Sequence, residues 1–420
     1  MRRFFFQNLR PRTNGQLLVF SFMLNSLANI LYLNINTTLG NGIGLCCFII
    51  FIVCILKHFK WAKINGFIGF SFYFLIFWSY LISFRTFFFD YGELYSGNIL
   101  SVLQKIFSTP LFVPCLMPFL VFYFFQSRSL NLRYFVRISV AMALLCIIFS
   151  PFSLHSILTF NFDLNYYGDD GGGYQDFIQN SSLGIASLTP PFILIYFKKY
   201  ITKWNWIVCL LAILITVLIT ALMARRGGLV VSIAYILAAY MLYILNDKKK
   251  RMRYVISFIF VGVIVYMFLQ SKGSDIFSLL IERGDEDTRS GVEYYFYKDM
   301  DFESWIFGRG WFGTYYDDIF RSQRYAIETG YLSLILRGGL LYLIPYVLVI
   351  TLSAIKGLFR SNNLMIKSFA IVMLISVLEL KPSGWPAFDL KYFVVWLGVY
   401  LCNTKQYRLM SENQIERLFK

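Results

Sequence analysis

Apolar runs of about twenty residues, long enough to cross a bilayer as a helix, recur along the whole chain, and no other feature restricts its fold as tightly. Twelve of them are centred on residues 16–35, 39–56, 64–84, 106–126, 134–153, 177–197, 204–223, 227–245, 254–270, 331–354, 368–380 and 390–402, the last two being short. The composition agrees, with 58% hydrophobic and only 15% charged residues against about 25% charged in soluble domains. The expected fold is therefore all-α: a polytopic integral membrane protein of about 12 transmembrane helices. Residues 1–420 form one membrane domain in which a long outer loop, 271–328, precedes the tenth span. No heptads, fixed-period repeat or low-complexity tract breaks this layout.

Charge orients it. The start MRRFFFQNLRPR carries four arginines and no acid, which the positive-inside rule places in the cytoplasm. With both termini there, the inner segments hold 25 of the 39 Lys and Arg but only three acids, Asp247, Glu412 and Glu416. The basic stretches KHFKWAK, FKKYITKWN and NDKKKRMR thus read as inner-face anchors, and nucleic acid is not an expected partner. No small-residue cleavage site precedes the first span, so it reads as a retained start-transfer helix. The seven cysteines lie at or within the spans without a CxxC pair, which supports neither a disulfide framework nor a metal site.

The loop 271–328 is the exception to apolarity. Its density of Arg, Asp, Glu, Trp and Tyr has no role in spanning a bilayer, so chemistry is sought there first. Arg289 and Arg309 stand among acids, where salt-bridged surface groups are the ordinary outcome. Arg289 precedes Tyr294, Tyr295, Phe296 and Tyr297, the aromatic start of a segment expected to lie on the membrane surface. Glu328 opens the tenth span in ETGYLSLILRGGLLYL. It reads either as a carboxylate favoured by a helix N-terminus or as a general base whose pKa is raised by partial desolvation. Arg337 lies about 13 Å deeper along that helix, a costly position without a polar cavity or a partner such as Glu379.

Elsewhere, Arg225 and Arg226 occupy a tight ARRGG turn between two apolar helices. They either complement the end of the preceding helix, with Gly227 and Gly228 allowing close packing, or grip an anion such as a diphosphate. The tract GDDGGGYQD lacks EF-hand spacing and reads as a loop, not a metal site. Neither His58 nor His155 has partners for a triad or metal centre. No P-loop is present, so the expected reaction uses an activated substrate and no cofactor.

The motifs ARRGGLV, TRSGVEYYF, WIFGRGWFG and ETGYLSLILRGGLLYL, in this order and topology, resemble the O-antigen polymerase and ligase superfamily, and most of all its Wzy-type polymerases. The similarity covers mainly residues 221–355. It implies a glycosyltransferase at the periplasmic face of a bacterial inner membrane, joining undecaprenyl-diphosphate-linked oligosaccharide repeat units into O-antigen or a related surface polysaccharide. Membrane lipids, a chain-length regulator and a flippase of the same pathway are the implied partners. By position, the resemblance makes Arg226 and Arg289 diphosphate contacts, with Arg225 and Arg309 beside them, Glu328 and Arg289 catalytic, and Arg337 and Tyr331 secondary. The ligase branch has His followed by Asn where this chain has Glu328 and Thr329, which counts against an ordinary ligase. A flippase for the same lipid-linked glycan is the alternative in another class.

Overall fold

A computed structural model describes residues 11–34, 36–57, 63–88, 116–126, 132–159, 192–222, 226–246, 252, 255–256, 290–318, 321–324, 327, 329–381 and 389–419. In chain order the elements are α1 (Asn14–Asn34), α2 (Thr37–Lys57), α3 (Gly66–Phe88), α4 (Phe119–Gln126), α5 (Leu132–Thr159), α6 (Ile193–Tyr196), α7 (Lys203–Leu222) and α8 (Arg226–Asn246). They continue as α9 (Ser290–Asp299), α10 (Phe302–Phe307), β1 (Tyr315–Asp317), β2 (Ser322–Arg324), α11 (Gly330–Gly338), α12 (Leu340–Phe359), α13 (Leu364–Glu379), α14 (Leu390–Asn403), α15 (Lys405–Leu409) and α16 (Glu412–Phe419).

Among the described residues seven helices (α1, α2, α3, α5, α7, α8 and α12) are long and apolar enough to cross a membrane, and α14 is a shorter apolar helix. Their outward faces present Ile49, Val53, Phe70, Phe77, Leu211, Leu218 and Val230, a surface that suits hydrocarbon and not water. The ninth expected span, 254–270, lies almost entirely outside the described residues, as do about half of the fourth and most of the sixth. At the centre stands α13, which packs on α6, α8, α12 and α14 and is apolar apart from Lys367 near its start and Glu379 at its end. Its Ser368 and Ser376 hydroxyls donate to Leu364 O and Met373 O, both at 2.7 Å, which lets them sit in an apolar core at no hydrogen-bonding loss.

The described residues are mostly helical, as expected; within the loop β1 and β2 pair antiparallel with Tyr315 opposite Arg324. One expectation is corrected. The tenth span is not one helix from 331 to 354 but two, α11 and α12, separated at Gly339. That glycine has φ +68, and a Cβ there would stand 2.0 Å from Ile306 O. The carbonyls that a continuous helix would use are taken instead by Arg309 N on Leu336 O (2.6 Å), Gly310 N on Arg337 O (2.9 Å) and the Trp78 indole on Gly338 O (2.7 Å). Loop amides satisfy the last turn of α11, so the membrane segment proper begins at Leu340.

The helices have two distinct ends. At one, the chain from α9 to β2 forms a cap seated on the last turn of α3. At the other, Asn14 O accepts from Cys54 Sγ, and Arg133 donates to Leu418 O and Arg417 O. Phe124 packs on Tyr400 near the end of α14, and Gly15 lies against Tyr123. The beginning of α1 and the C-terminal helix α16 therefore share the end opposite the cap. There the described acids are only Glu412 and Glu416, against many Lys and Arg such as Lys57, Arg133, Lys198, Lys356 and Arg408.

Candidate functional site at the cap end

The cap has its own core of Phe296, Met300, Tyr315, Ile327, Leu332, Ile335 and Leu336. Phe296 of α9 is fully buried there and meets Tyr315 and Trp305 edge-on, while Tyr294 and Tyr297 stay exposed. The aromatic run expected on the membrane surface is thus divided, one ring anchoring the cap and two facing outward. Tyr297 stacks on Trp305 at 5.7 Å. Asp301 caps α10 by accepting from Ser304 N at 2.8 Å, and these Ser304 bonds hold its carboxyl below the usual range.

Arg309 holds the cap together. Its Nε donates to Ser304 Oγ at 3.0 Å, one terminal nitrogen to Asp299 Oδ2 (2.5 Å) and Thr314 O (2.8 Å), and the other to Asp299 O (2.5 Å). The guanidinium fork is spent on intramolecular acceptors that join α9, α10 and the approach to β1. Four of its five N–H donors are used in this way, which leaves no free pair for a bidentate diphosphate contact of the kind expected of it.

The cap docks on α3 by contacts that no motif announced. Arg85 donates to Phe307 O (3.1 Å) and Gly308 O (2.5 Å). Thr86 Oγ1 accepts from Trp311 N (3.1 Å), and the Trp311 indole donates to Ser83 Oγ (3.1 Å). The available signal was a single arginine at the end of an apolar span, followed much later by a GRGWFG turn. Gly308 there has φ +70, and a Cβ would meet Arg337 C and O at 2.5 Å, so side chains are excluded from the seam.

At the start of α11, Thr329 donates a short hydrogen bond to Glu293 of α9, and Tyr331 N donates to Leu380 O at 3.3 Å. Tyr331 also meets Tyr297, whose hydroxyl is pushed up to about 12 by desolvation first and by this contact second. Arg337 is buried at 2% exposure and donates to Ser333 Oγ at 2.5 Å and Ser333 O at 3.2 Å. Burial pushes its pKa down to about 9, which leaves it a cation at neutral pH. The suggested pairing with Glu379 does not occur as the sequence implied: Glu379 makes a short ion pair with Lys391.

Arg226 opens α8 at the cap end. A Cβ on Gly228, one turn later at most, would meet Thr220 Cγ2 at 2.9 Å, so the glycine serves the close α7–α8 approach that the sequence suggested. Arg225, Arg289 and Glu328 lie outside the described residues. The remaining expected site residues, Arg226, Arg309, Tyr331 and Arg337, come to the same end of the helices from segments far apart in sequence.

No family model matches this chain, and no curated protein or solved structure matches it either.

Proposed function

We propose that the chain is a polymerase of undecaprenyl-diphosphate-linked oligosaccharide repeat units, acting at the periplasmic face of a bacterial inner membrane to build O-antigen or a related surface polysaccharide. The observation that carries this reading is the convergence at one end of apolar helices of a charged, aromatic cap, the start of α8 at Arg226 and the start of α11. The opposite end, rich in Lys and Arg and poor in acids, suits the cytoplasm.

The chemistry follows from the residue types. Arg226 is the first residue of α8, the positive end of that helix, where a cation is unfavourable by itself. An anionic ligand relieves that repulsion. In the proposed reaction Arg226 and Arg289, with Arg225 beside them, hold the diphosphate of the donor. An acceptor hydroxyl oxygen forms a bond to the anomeric carbon, and the bond from that carbon to the diphosphate oxygen breaks with its electron pair. Guanidinium groups stabilise the charge developing on the departing diphosphate. Glu328 takes the hydroxyl proton. The glycosyl-diphosphate bond supplies the driving force, and the prenyl chains remain in the bilayer beside the helices.

Arg226→Lys and Arg289→Lys test the diphosphate role, because a point charge does not reproduce a bidentate guanidinium contact. Loss of one contact made mainly in the transition state costs about 100- to 1,000-fold in rate. Full-length polymer at normal levels from well-expressed lysine variants contradicts the assignment.

A further inference from the structure

At the end opposite the cap, the last turn of α12 and the short helix α15 bring together three cations for which the proposed transfer has no use. Lys356 and Arg360 stand four residues apart, neighbours on one face of the helix, and Arg360 N donates to Lys356 O at 3.0 Å. Arg408 of α15 joins them by donating to Arg360 O at 3.4 Å. The turn after α12 is clamped onto α15: Asn362 N donates to Arg408 O at 2.9 Å, and Asn363 Nδ2 to Tyr407 O (2.8 Å) and Met410 O (3.1 Å). Among the described residues no acid forms an ion pair with Lys356, Arg360 or Arg408. Glu412, at the start of α16, is committed elsewhere: its two oxygens accept from Leu364 N and the Tyr200 hydroxyl, each at 2.6 Å.

Cations in the last turn of a helix complement its dipole, which accounts for Lys356 and Arg360. It does not account for two buried groups beside them. Ser361, 8% exposed, has a hydroxyl without a hydrogen-bond partner, and the Nε of Arg408 is buried and equally unpartnered. Ser361 is flanked in the chain by Arg360 and Asn362, both bonded to Arg408, so the two groups share one corner of the fold. Buried donors left unmade are costly, and native structures keep them where something else completes them. Water would complete either donor singly but would leave the three charges unopposed. An anionic oxygen does both, and a guanidinium N–H and a hydroxyl are donors suited to phosphate oxygens.

The flank of the cluster points to the kind of phosphate. α12 is long and apolar enough to cross a membrane, so its last turn stands at the level of the lipid headgroups. Ile355 and Phe359, each one residue before a member of the cationic pair, are exposed, Phe359 to 82%, and Leu409 beside Arg408 is exposed as well. A ligand with an acyl chain covers these side chains, whereas a free phosphate ion leaves them bare. Basic pockets between helices on the cytoplasmic side suit acidic lipid headgroups. We propose that Lys356, Arg360, Ser361 and Arg408 form a binding site for one anionic phospholipid, its phosphate on Arg408 and Ser361 and its acyl chain along Ile355 and Phe359. The site is independent of the polymerase reading, which concerns the other end of the helices.

Native mass spectrometry of the full chain, delipidated in detergent, reads the binding of added dioleoyl phosphatidylglycerol, dioleoyl phosphatidylcholine and inorganic phosphate. The site predicts one phosphatidylglycerol held about 10-fold or more tighter than phosphatidylcholine. Ser361→Ala removes an unpartnered buried hydroxyl, which is neutral or stabilising for the fold. A purely structural role therefore predicts unchanged lipid binding in Ser361→Ala, whereas the site predicts affinity lower by about threefold or more. Arg408→Gln lowers it by about 10-fold or more, through loss of a charge-assisted bond. Lys405→Gln, on the exposed side of the same short helix, changes it by about twofold at most, because an exposed charge is screened. Equal affinity for the two lipids, undiminished affinity in Ser361→Ala, or inorganic phosphate bound as tightly as phosphatidylglycerol overturns the proposal. So does a loss in Lys405→Gln equal to that in Arg408→Gln, which marks unspecific attraction to a basic face.

Discussion

Replacing Arg309 with lysine should release the cap while leaving the membrane helices intact. Four donor contacts bind Arg309 to Ser304, Asp299 (twice) and Thr314, and lysine retains the charge but not the fork that spans them. Hydrogen bonds to charged groups contribute about 1.5–3 kcal/mol each when buried. The side chains of Arg309 and Asp299 are 15% and 32% exposed, so water recovers part of every lost contact and the bonds are not additive. A local cost of about 2–4 kcal/mol is a reasonable balance, equal to about 30- to 900-fold in the opening equilibrium. Hydrogen exchange followed by mass spectrometry reads this directly. Peptides from 290–318 should lose protection by that factor in Arg309→Lys, whereas peptides from α5 and α13 keep theirs. Unchanged protection across the cap would show that Arg309 does not organise it, and would free its guanidinium for the ligand role that its contacts argue against.

Three further outcomes are expected. Glu328→Gln keeps size and hydrogen bonding but removes the basic site, so donor binding should survive while transfer falls about 100- to 10,000-fold; near-normal polymerisation with a stability change of about 1 kcal/mol or less would favour the helix-dipole role instead. Asp389, the N-cap of α14, accepts from Tyr392 N at 3.0 Å, and burial pushes its carboxyl up to about 6 against the lowering effect of Lys391. A raised carboxyl pKa means stability that is present below the unfolded value near 4 and lost as pH rises through about 6. Asp389→Asn, which keeps the cap acceptor, should therefore raise stability near pH 7.5 by about 1 kcal/mol, discounted for partial exposure, and flatten the melting temperature between pH 4 and 6; an unaltered pH profile would contradict this. A Ser290→Cys label in a background without native cysteines should react with an impermeant reagent from the periplasmic side, and reaction only after the inner membrane is permeabilised would invert the proposed orientation.

The spans were the most legible part of the sequence, because length and continuous apolarity are enough to specify them. α1, α2, α3, α5, α7 and α8 fall where the apolar runs place them. The tenth span misled for a physical reason: the leucines and isoleucine of α11 run on into the apolar α12 with Arg337 the only charge between them, and what separates the two helices is tertiary, namely loop amides and an indole capturing three consecutive carbonyls, Leu336 to Gly338. The glycine pair Gly338–Gly339 was visible, yet nothing local reveals the partners of this turn more than twenty residues upstream in the cap and hundreds of residues away on α3. The same holds for the site. Residue type marked Arg309 and Arg337 as notable, but only folding shows Arg309 committed to Asp299 and Glu379 paired with Lys391 in place of Arg337. Glu293, which receives the Thr329 hydroxyl, went unnoticed because an acid in a charged loop resembles any solvated group.

The central claim, that this chain joins lipid-linked glycan units, is tested most directly by incubating the purified protein with undecaprenyl-diphosphate-linked repeat units and resolving the products by chain length. The account predicts a ladder of lipid-linked polymers, formed without added nucleotide. A single transfer seen only when lipid A core is supplied would mark a ligase, and movement of the substrate across vesicles without any covalent change would mark a transporter; either result would contradict the polymerase reading.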